Sequence, residues 1–302
     1  MAAANKTAPP VAPFLHATPS DTAAPFLRAT PSDTAAPFLH AAPIKAAGAF
    51  FIDTHCHLDA AEFDADRDAV YARAVDAGVA IQIVPAISRD NFAAVAATCE
   101  RYPGSLPAWG MHPMFIDVHR PEHLADLRAQ IEQQRPVAIG EIGLDLFVRD
   151  LDAATQEFFY VEQLKIAQEY DLPVLLHCRK ANDEILKQLR KFKVRGGIAH
   201  AFNGSPQQAA EFIKLGFKLG FGGAFTWPRA NNLRRLAVSL PLDAIVLETD
   251  SPDIPPVWVG RSRNAPGELP LIAKELAALR GVSVETIAST TTHTAKALFR
   301  LD

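Results

Sequence analysis

The chain has 302 residues, of which 49% are hydrophobic and 21% charged, so it can bury a large core and is not disordered throughout. Thirty basic against 34 acidic residues leave a formal charge of −4, which excludes nucleic-acid binding by bulk charge and restricts any such contact to a local basic patch. No apolar run reaches the ~18 residues of a membrane helix, no signal-like start is present, and three widely spaced cysteines (Cys56, Cys99, Cys178) make no disulfide framework; a soluble cytoplasmic protein with no membrane contact is expected.

The N-terminus is a repeat. Residues 12–23 read APFLHATPSDTA, residues 24–35 read APFLRATPSDTA, and residues 36–43 begin a third copy. Proline in every copy blocks helix and sheet, and short Ala/Pro/Thr/Ser-rich copies cannot stack into a core. Residues 1–48 are read as a disordered tail, with a linear docking motif anchored on Phe-Leu as the competing reading. Residues 49–302 form the second part. There, short β-branched runs fall at 50–56, 79–86, 105–113, 136–143, 172–178, 196–202, 217–223 and 243–250. Helical patterns separate them, among them 66–78 (with Val70, Ala74 and Val75 on one face), 155–171 and 269–281. Eight strands alternating with helices over about 250 residues predict an α/β fold, a (β/α)8 TIM barrel. A doubly wound sheet would need a glycine-rich phosphate turn after the first strand, where this chain has Asp-Thr-His-Cys-His-Leu-Asp.

The apolar runs end in polar residues: Asp53-Thr54-His55-Cys56-His57, Gly110-Met111-His112, Glu141, His177-Cys178-Arg179, His200 and Glu248-Thr249-Asp250. In a barrel these ends converge on one mouth, where catalytic groups sit. Residues i and i+2 of a strand share a face, so His55 and His57 are expected to point inward together, with Cys56 packed on the other side. His55, His57, Glu141, His177, His200 and Asp250 offer more donors than one tetrahedral ion needs; two divalent ions bridged by Glu141 would use them all, and Zn, Mn or Mg fits the donor types. His119, His123 and His293 are read as surface residues.

The motifs FIDTHCHLD (51–59), GMHP (110–113), GEIGLD (140–145), LPVLLHCR (172–179), HAFNGS (200–205) and LETDSPD (247–253) resemble, in order and spacing, the TatD family of metal-dependent hydrolases. GEIGLDLF, GGAFTWPRA (222–230) and DSPDIP look closest to its YjjV-like subgroup. The resemblance runs from about residue 51 to the C-terminus and leaves the tail without a counterpart. It implies an amidohydrolase-type barrel, one or two divalent ions held by the six residues above, and phosphodiester hydrolysis, commonly as a 3′ to 5′ deoxyribonuclease on single strands or 3′ ends. The chain departs from the family where it reads Arg263-Asn264-Ala265-Pro266, lacking the usual acid at 265.

On this reading Asp250 takes the proton of a metal-activated water, while His112 and Arg179 hold a phosphate oxygen; His112 backing a ligand and Arg179 pairing with Asp145 are the alternatives. Phe147, Arg149, Lys180, Phe202, Trp227, Arg229, Trp258, Arg261 and Arg263 are candidate DNA contacts in the mouth loops, although the tryptophans equally suit loop packing. The basic run at 187–195 precedes a strand and belongs to the opposite face. A carbonyl substrate (amide, lactone or aminoacyl ester) and a metal-binding interaction protein without turnover are the competing functions. No obligate protein partner is indicated.

Overall fold

The structure is a computed structural model and describes residues 50–301; the expected tail lies outside the described residues. Eight parallel strands follow one another around the sheet in chain order: β1 (Phe51–Asp53), β2 (Val79–Pro85), β3 (Ser105–Trp109), β4 (Ala138–Asp145), β5 (Val174–Arg179), β6 (Gly197–Ala199), β7 (Phe217–Phe221) and β8 (Ile245–Leu247). The circle closes between its ends, where the Thr54 amide donates to Leu247 O at 3.0 Å and the Asp250 amide to His55 O at 2.8 Å. The expected barrel is the observed one.

The helices are α1 (Arg67–Asp76), α2 (Phe92–Arg101), α3 (His123–Gln133), α4 (Ala153–Glu169), α5 (Asn182–Leu189), α6 (Pro206–Lys214), α7 (Asn231–Ser239), α8 (Leu269–Arg280) and α9 (Val284–Phe299). Their limits follow local chemistry. Asp152 accepts the Thr155 amide to start α4, Ser205 and Gln208 form a capping box with Pro206 at the first turn of α6, and Gly281 ends α8 in the left-handed region. On α1, Val70 and Ala74 are buried as expected, but Val75 is 44% exposed: its place on the turn carries it past the edge of the buried stripe.

Apolar side chains of seven strands (Ile52, Ile83, Ala108, Ala138, Leu175, Ile198, Val246) fill the barrel floor, and Ala295 and Phe299 of α9 close it from below. The mouth is therefore the end left to polar groups.

Two local features position those groups. First, several strands stop short of their expected ends: β1 at Asp53, β3 at Trp109, β6 at Ala199 and β8 at Leu247. Beyond these points peptide groups leave the ladder for loop partners, so His55, His57, His112, His200 and Asp250 stand on loops. The expected strand geometry for His55 and His57 is corrected accordingly. Their segment is nonetheless pinned on both flanks: the Cys56 amide bonds Ile83 O (3.0 Å) on one side and the His57 amide bonds Ser251 O (2.8 Å) on the other. Second, β4 carries an irregularity: Ile139 faces Val174 while Ile142 faces Leu176, so β4 has one residue more than β5 across this interval. Such a bulge re-aims a side chain, here Glu141. Gly143 follows with φ 140°, and a Cβ there would lie 2.2 Å from His177 O, so only glycine lets β4 and β5 approach beside the site.

Candidate metal centre

The imidazoles and carboxylates of the mouth form two groups that share Glu141. On one side, Glu141 Oε2 lies 3.0 Å from His55 Nε2 and 3.8 Å from His57 Nε2. Asp250 Oδ1 faces the same space, 3.7 Å from His55 Nε2, 3.8 Å from His57 Nε2 and 3.5 Å from His200 Nε2. On the other side, Glu141 Oε1 lies 3.0 Å from His112 Nε2 and 2.9 Å from His177 Nδ1, and those two nitrogens are 3.1 Å apart. Within each trio His55–Glu141–His200, His55–His57–Asp250 and His112–Glu141–His177 the donor atoms lie within 4.8 Å of one another, close enough to share an ion.

The residues fit a divalent cation on physical grounds. Both ring nitrogens of His55 are fully buried and make no hydrogen bond, although Nε2 sits 3.0 Å from a carboxylate. Buried polar atoms without partners are costly, and a cation supplies what is missing. Burial and the neighbouring His200 pull His55 down to about 3, and burial brings His57 down to about 4, so both are neutral, the form that ligates. Burial alone would raise Glu141, but His112, His55 and His177 around it hold it well below the usual carboxylate range. Burial likewise works against the charge on His200, yet Glu248 and Asp250 raise it to about 10. Positive charge thus rests on His200, while His55 and His57 stay neutral. Asp250 is pushed well above the carboxylate range by burial, with His200 working against this.

Surrounding groups fix these side chains. Asp53, buried beneath the cluster, accepts the amides of His55 (3.2 Å) and Thr249 (3.0 Å) on Oδ1 and the Thr249 hydroxyl (2.6 Å) on Oδ2, joining the ends of β1 and β8. Glu248 lies 3.1 Å from His200 Nδ1 and accepts the Ala201 amide at 2.6 Å. A Cβ on Gly220 would stand 2.1 Å from Glu248 Oε2, so the absence of a side chain there makes room for this carboxylate. Asp145 Oδ2 lies 3.0 Å from His177 Nε2. Two buried glutamines of α4 clamp the loops: Gln163 bonds both Met111 N (2.7 Å) and Met111 O (3.2 Å), and Gln156 bonds both Asp145 N (2.8 Å) and Asp145 O (3.1 Å). Gln156 and Gln163 were legible only as two polar residues seven apart on a helix whose inner face is otherwise apolar. Asn264 is fully buried and donates to Thr249 O (2.8 Å) and Asp253 O (2.9 Å), bracing the Asp250 loop; the altered acid position at Ala265 leaves this brace in place.

All six expected ligands come together, and His112 joins them. Arg179 stands at the rim, 48% exposed, stacked on Phe147 with its guanidinium carbon 4.0 Å from the ring centroid and Nη1 3.8 Å from Asp145 Oδ2. Arg149, in the loop after β4, and Lys180, the next residue along from Arg179, are exposed as well. Other expectations need correction. Phe202 is buried against Phe212 and offers no stacking surface. Arg263 is engaged with Asp66 (2.9 and 2.7 Å) and lies over Phe63. The indole N–H groups of Trp227 and Trp258 bond Pro255 O and Glu268, which is the loop-packing reading. His119 is not a surface residue: it is 4% exposed and its Nε2 bonds His112 O at 2.9 Å, because the helical turn after β3 folds it under the mouth. Cys56 is buried, as expected.

Five imidazoles gathered around a shared carboxylate at the mouth of a parallel barrel define the class: an α/β-barrel protein with a candidate metal centre at the C-terminal ends of its strands. Comparison with known proteins makes the assignment specific. The chain belongs to the TatD family of metal-dependent hydrolases, the family profile described as TatD related DNase matching residues 52–300. It is 40% identical to the metal-dependent hydrolase YjjV of Escherichia coli K12 over 254 residues, covering 83% of this chain and 98% of that protein. The crystal structure of YjjV superposes with a TM-score of 0.81 over 83% of this chain and 98% of that one. A protein named 3′-5′ ssDNA/RNA exonuclease TatD, from Cronobacter sakazakii, is 36% identical over 255 residues, covering 82% of this chain and 97% of that protein. No helix among the described residues is long and apolar enough to cross a membrane.

Proposed function

We propose that this chain is a phosphodiesterase acting on nucleic acid, a deoxyribonuclease that removes nucleotides from the 3′ end of single strands. The observation that carries the reading is the position of Glu141, which turns one oxygen to each of two donor groups. On this reading His55, His57, His200 and Asp250 would hold one divalent ion and His177 a second, with Glu141 shared; His112, whose Nδ1 accepts the Met114 amide at 3.1 Å and whose proton is therefore on Nε2, holds the Glu141 carboxylate at 3.0 Å. Imidazole with carboxylate suits Zn or Mn, and Mg with added water. Two divalent ions supply a lowered pKa for attacking water and neutralise charge on a phosphodiester.

The protein's own groups supply the rest. Asp250, whose carboxyl is raised by burial, accepts the proton of the attacking water. Arg179, exposed at the rim and braced by Phe147, offers its planar fork to a phosphate oxygen. Arg149 and Lys180 with it give the local basic patch that an acidic chain needs to meet a polyanion. The exonuclease name of the Cronobacter relative supports the same substrate class.

The test is hydrolysis of 3′-labelled and 5′-labelled single-stranded DNA by chelated protein reconstituted with Mg, Mn or Zn. The expected result is ion-dependent loss of the 3′ label, reduced by about 10²- to 10⁴-fold in Asp250→Ala. Intact DNA in the presence of ion-loaded protein would reject the phosphodiester reading in favour of a carbonyl substrate.

A further inference from the structure

Asp145 is fully buried at the end of β4, and every part of it is engaged. Its backbone is held on both sides by Gln156, through Asp145 N at 2.8 Å and Asp145 O at 3.1 Å. Its Oδ1 accepts two amides, Phe147 N at 3.0 Å and Val148 N at 3.1 Å. Its Oδ2 is left for His177 Nε2 at 3.0 Å, with Arg179 Nη1 at 3.8 Å. A carboxylate only accepts, so His177 must carry its proton on Nε2. Nδ1 faces a second carboxylate, Glu141 Oε1 at 2.9 Å, and His112 Nε2 at 3.1 Å, so without an ion it carries a proton too, and an ion at Glu141 would take the place of that proton alone.

We propose that Asp145 is the positioning residue of the second donor group: it fixes the tautomer of His177 so that Nδ1 ligates, and through the Phe147 and Val148 amides it ties that ligand to the loop bearing the Phe147–Arg179 stack. This rests on the reading of the Glu141, His112 and His177 group as an ion site. A His whose other nitrogen is hydrogen-bonded to a carboxylate is the general way such ligands are oriented.

The geometry makes the two replacements of Asp145 behave in opposite orders. In Asp145→Asn the two backbone amides still demand an acceptor, so the amide oxygen takes the Oδ1 place and the NH2 group faces His177 Nε2. A donor there forces Nε2 to accept, leaves the one ring proton on Nδ1 against Glu141 and so withholds the ligating lone pair, while the loop bonds survive. In Asp145→Ala the loop bonds are lost, but His177 is free to adopt either tautomer. A purely structural role makes Ala worse than Asn in every measurement. Tautomer control makes Asn worse than Ala for ion binding and Ala worse than Asn for stability.

The experiment is Mn2+ titration of the full chain and both variants by calorimetry, with histidine-selective 15N spectra of the metal-free proteins and urea unfolding. His177 is assigned by loss of its signals in His177→Ala. We expect the wild type to take up two Mn2+ ions and, free of metal, to show protons on both His177 nitrogens. In Asp145→Asn we expect the Nδ1–H form and about a 10- to 100-fold weaker affinity for one ion, with the other changed by less than about twofold. Asp145→Ala should fall between the two in affinity and below both in urea midpoint. Unchanged binding or a proton still on Nε2 in Asp145→Asn, or weaker binding in Ala than in Asn, overturns the proposal while leaving the ion-site reading intact. A wild-type chain that takes up fewer than two Mn2+ ions overturns the ion-site reading and this proposal with it.

Discussion

Asp53 gives the cluster no donor atom, yet it sets where His55 and the residue before Asp250 lie, by accepting the amides of both His55 and Thr249. The same division of labour recurs at Glu248 behind His200 and at Asp145 behind His177. Backbone strain concentrates in the same region: Lys180, Ala201, Asp250 and Ile254 all have positive φ, and they follow β5, β6 and β8 at the mouth. Non-glycine residues persist in that conformation where the surrounding structure over-determines them. His119 belongs to this scale too. Burial lowers it from 6.5 to about 4, with its bond to His112 O working the other way. Its folded pKa lies below its unfolded one, so the unfolded chain binds more protons in this window. The resulting stability is present above about pH 6.5 and is lost as pH falls toward 4. Urea midpoints measured from pH 7 to pH 4 should show this fall. In His119→Gln the slope should flatten by up to about 1.4 kcal/mol per pH unit.

At the scale of elements, α4 does more than cover the barrel. Gln156 and Gln163 sit two turns apart on its inner face and hold the loops after β4 and β3, hence Asp145 and His112. Phe159, Leu164 and Ile166 bury the apolar part of the same helix. Replacing Gln163 by Leu keeps the volume but leaves the amide and carbonyl of Met111 buried without partners. The expected cost is about 1–3 kcal/mol in urea unfolding, together with weaker Mn2+ uptake by the group containing His112. A Gln163→Leu protein with unchanged Mn2+ affinity would separate the helix from the site. The motif GMHP made His112 conspicuous in the sequence, but not its neighbours. The residue that clamps Met111 before it, Gln163, lies 52 positions from that methionine, on a helix whose periodicity reads as ordinary core packing.

For the whole molecule, the donors come from or just after β1, β3, β4, β5, β6 and β8, so ions in the mouth would tie together segments spread over 195 residues, from His55 to Asp250. Binding to the folded chain alone stabilises it by mass action, about 2.7 kcal/mol at a hundredfold excess over Kd. Chelation should therefore lower Tm by about 5–10 °C for a domain of this size, and Mn2+ should restore it. A Tm indifferent to chelator would mean that the cluster holds no ion in solution. The floor is unaffected by any such change, because its apolar layer and α9 lie at the other end of the barrel.

The amino-acid sequence by itself determined the barrel, since eight apolar runs separated by helical patterns admit few other arrangements. It also determined the candidate donors, because charged and imidazole groups at the ends of apolar runs have no place in a core and must gather where the strands open. Spacing along the chain carries no information on which atoms face each other. That His112 joins Glu141 and His177, that Phe202 and His119 are buried, and that the tryptophan N–H groups tie loops were decided only by tertiary structure, where strand ends, a bulge in β4 and two helix glutamines bring distant residues to within 4 Å of each other. Local sequence specifies which chemistry is available, whereas the packing of separate segments specifies which lone pair points where.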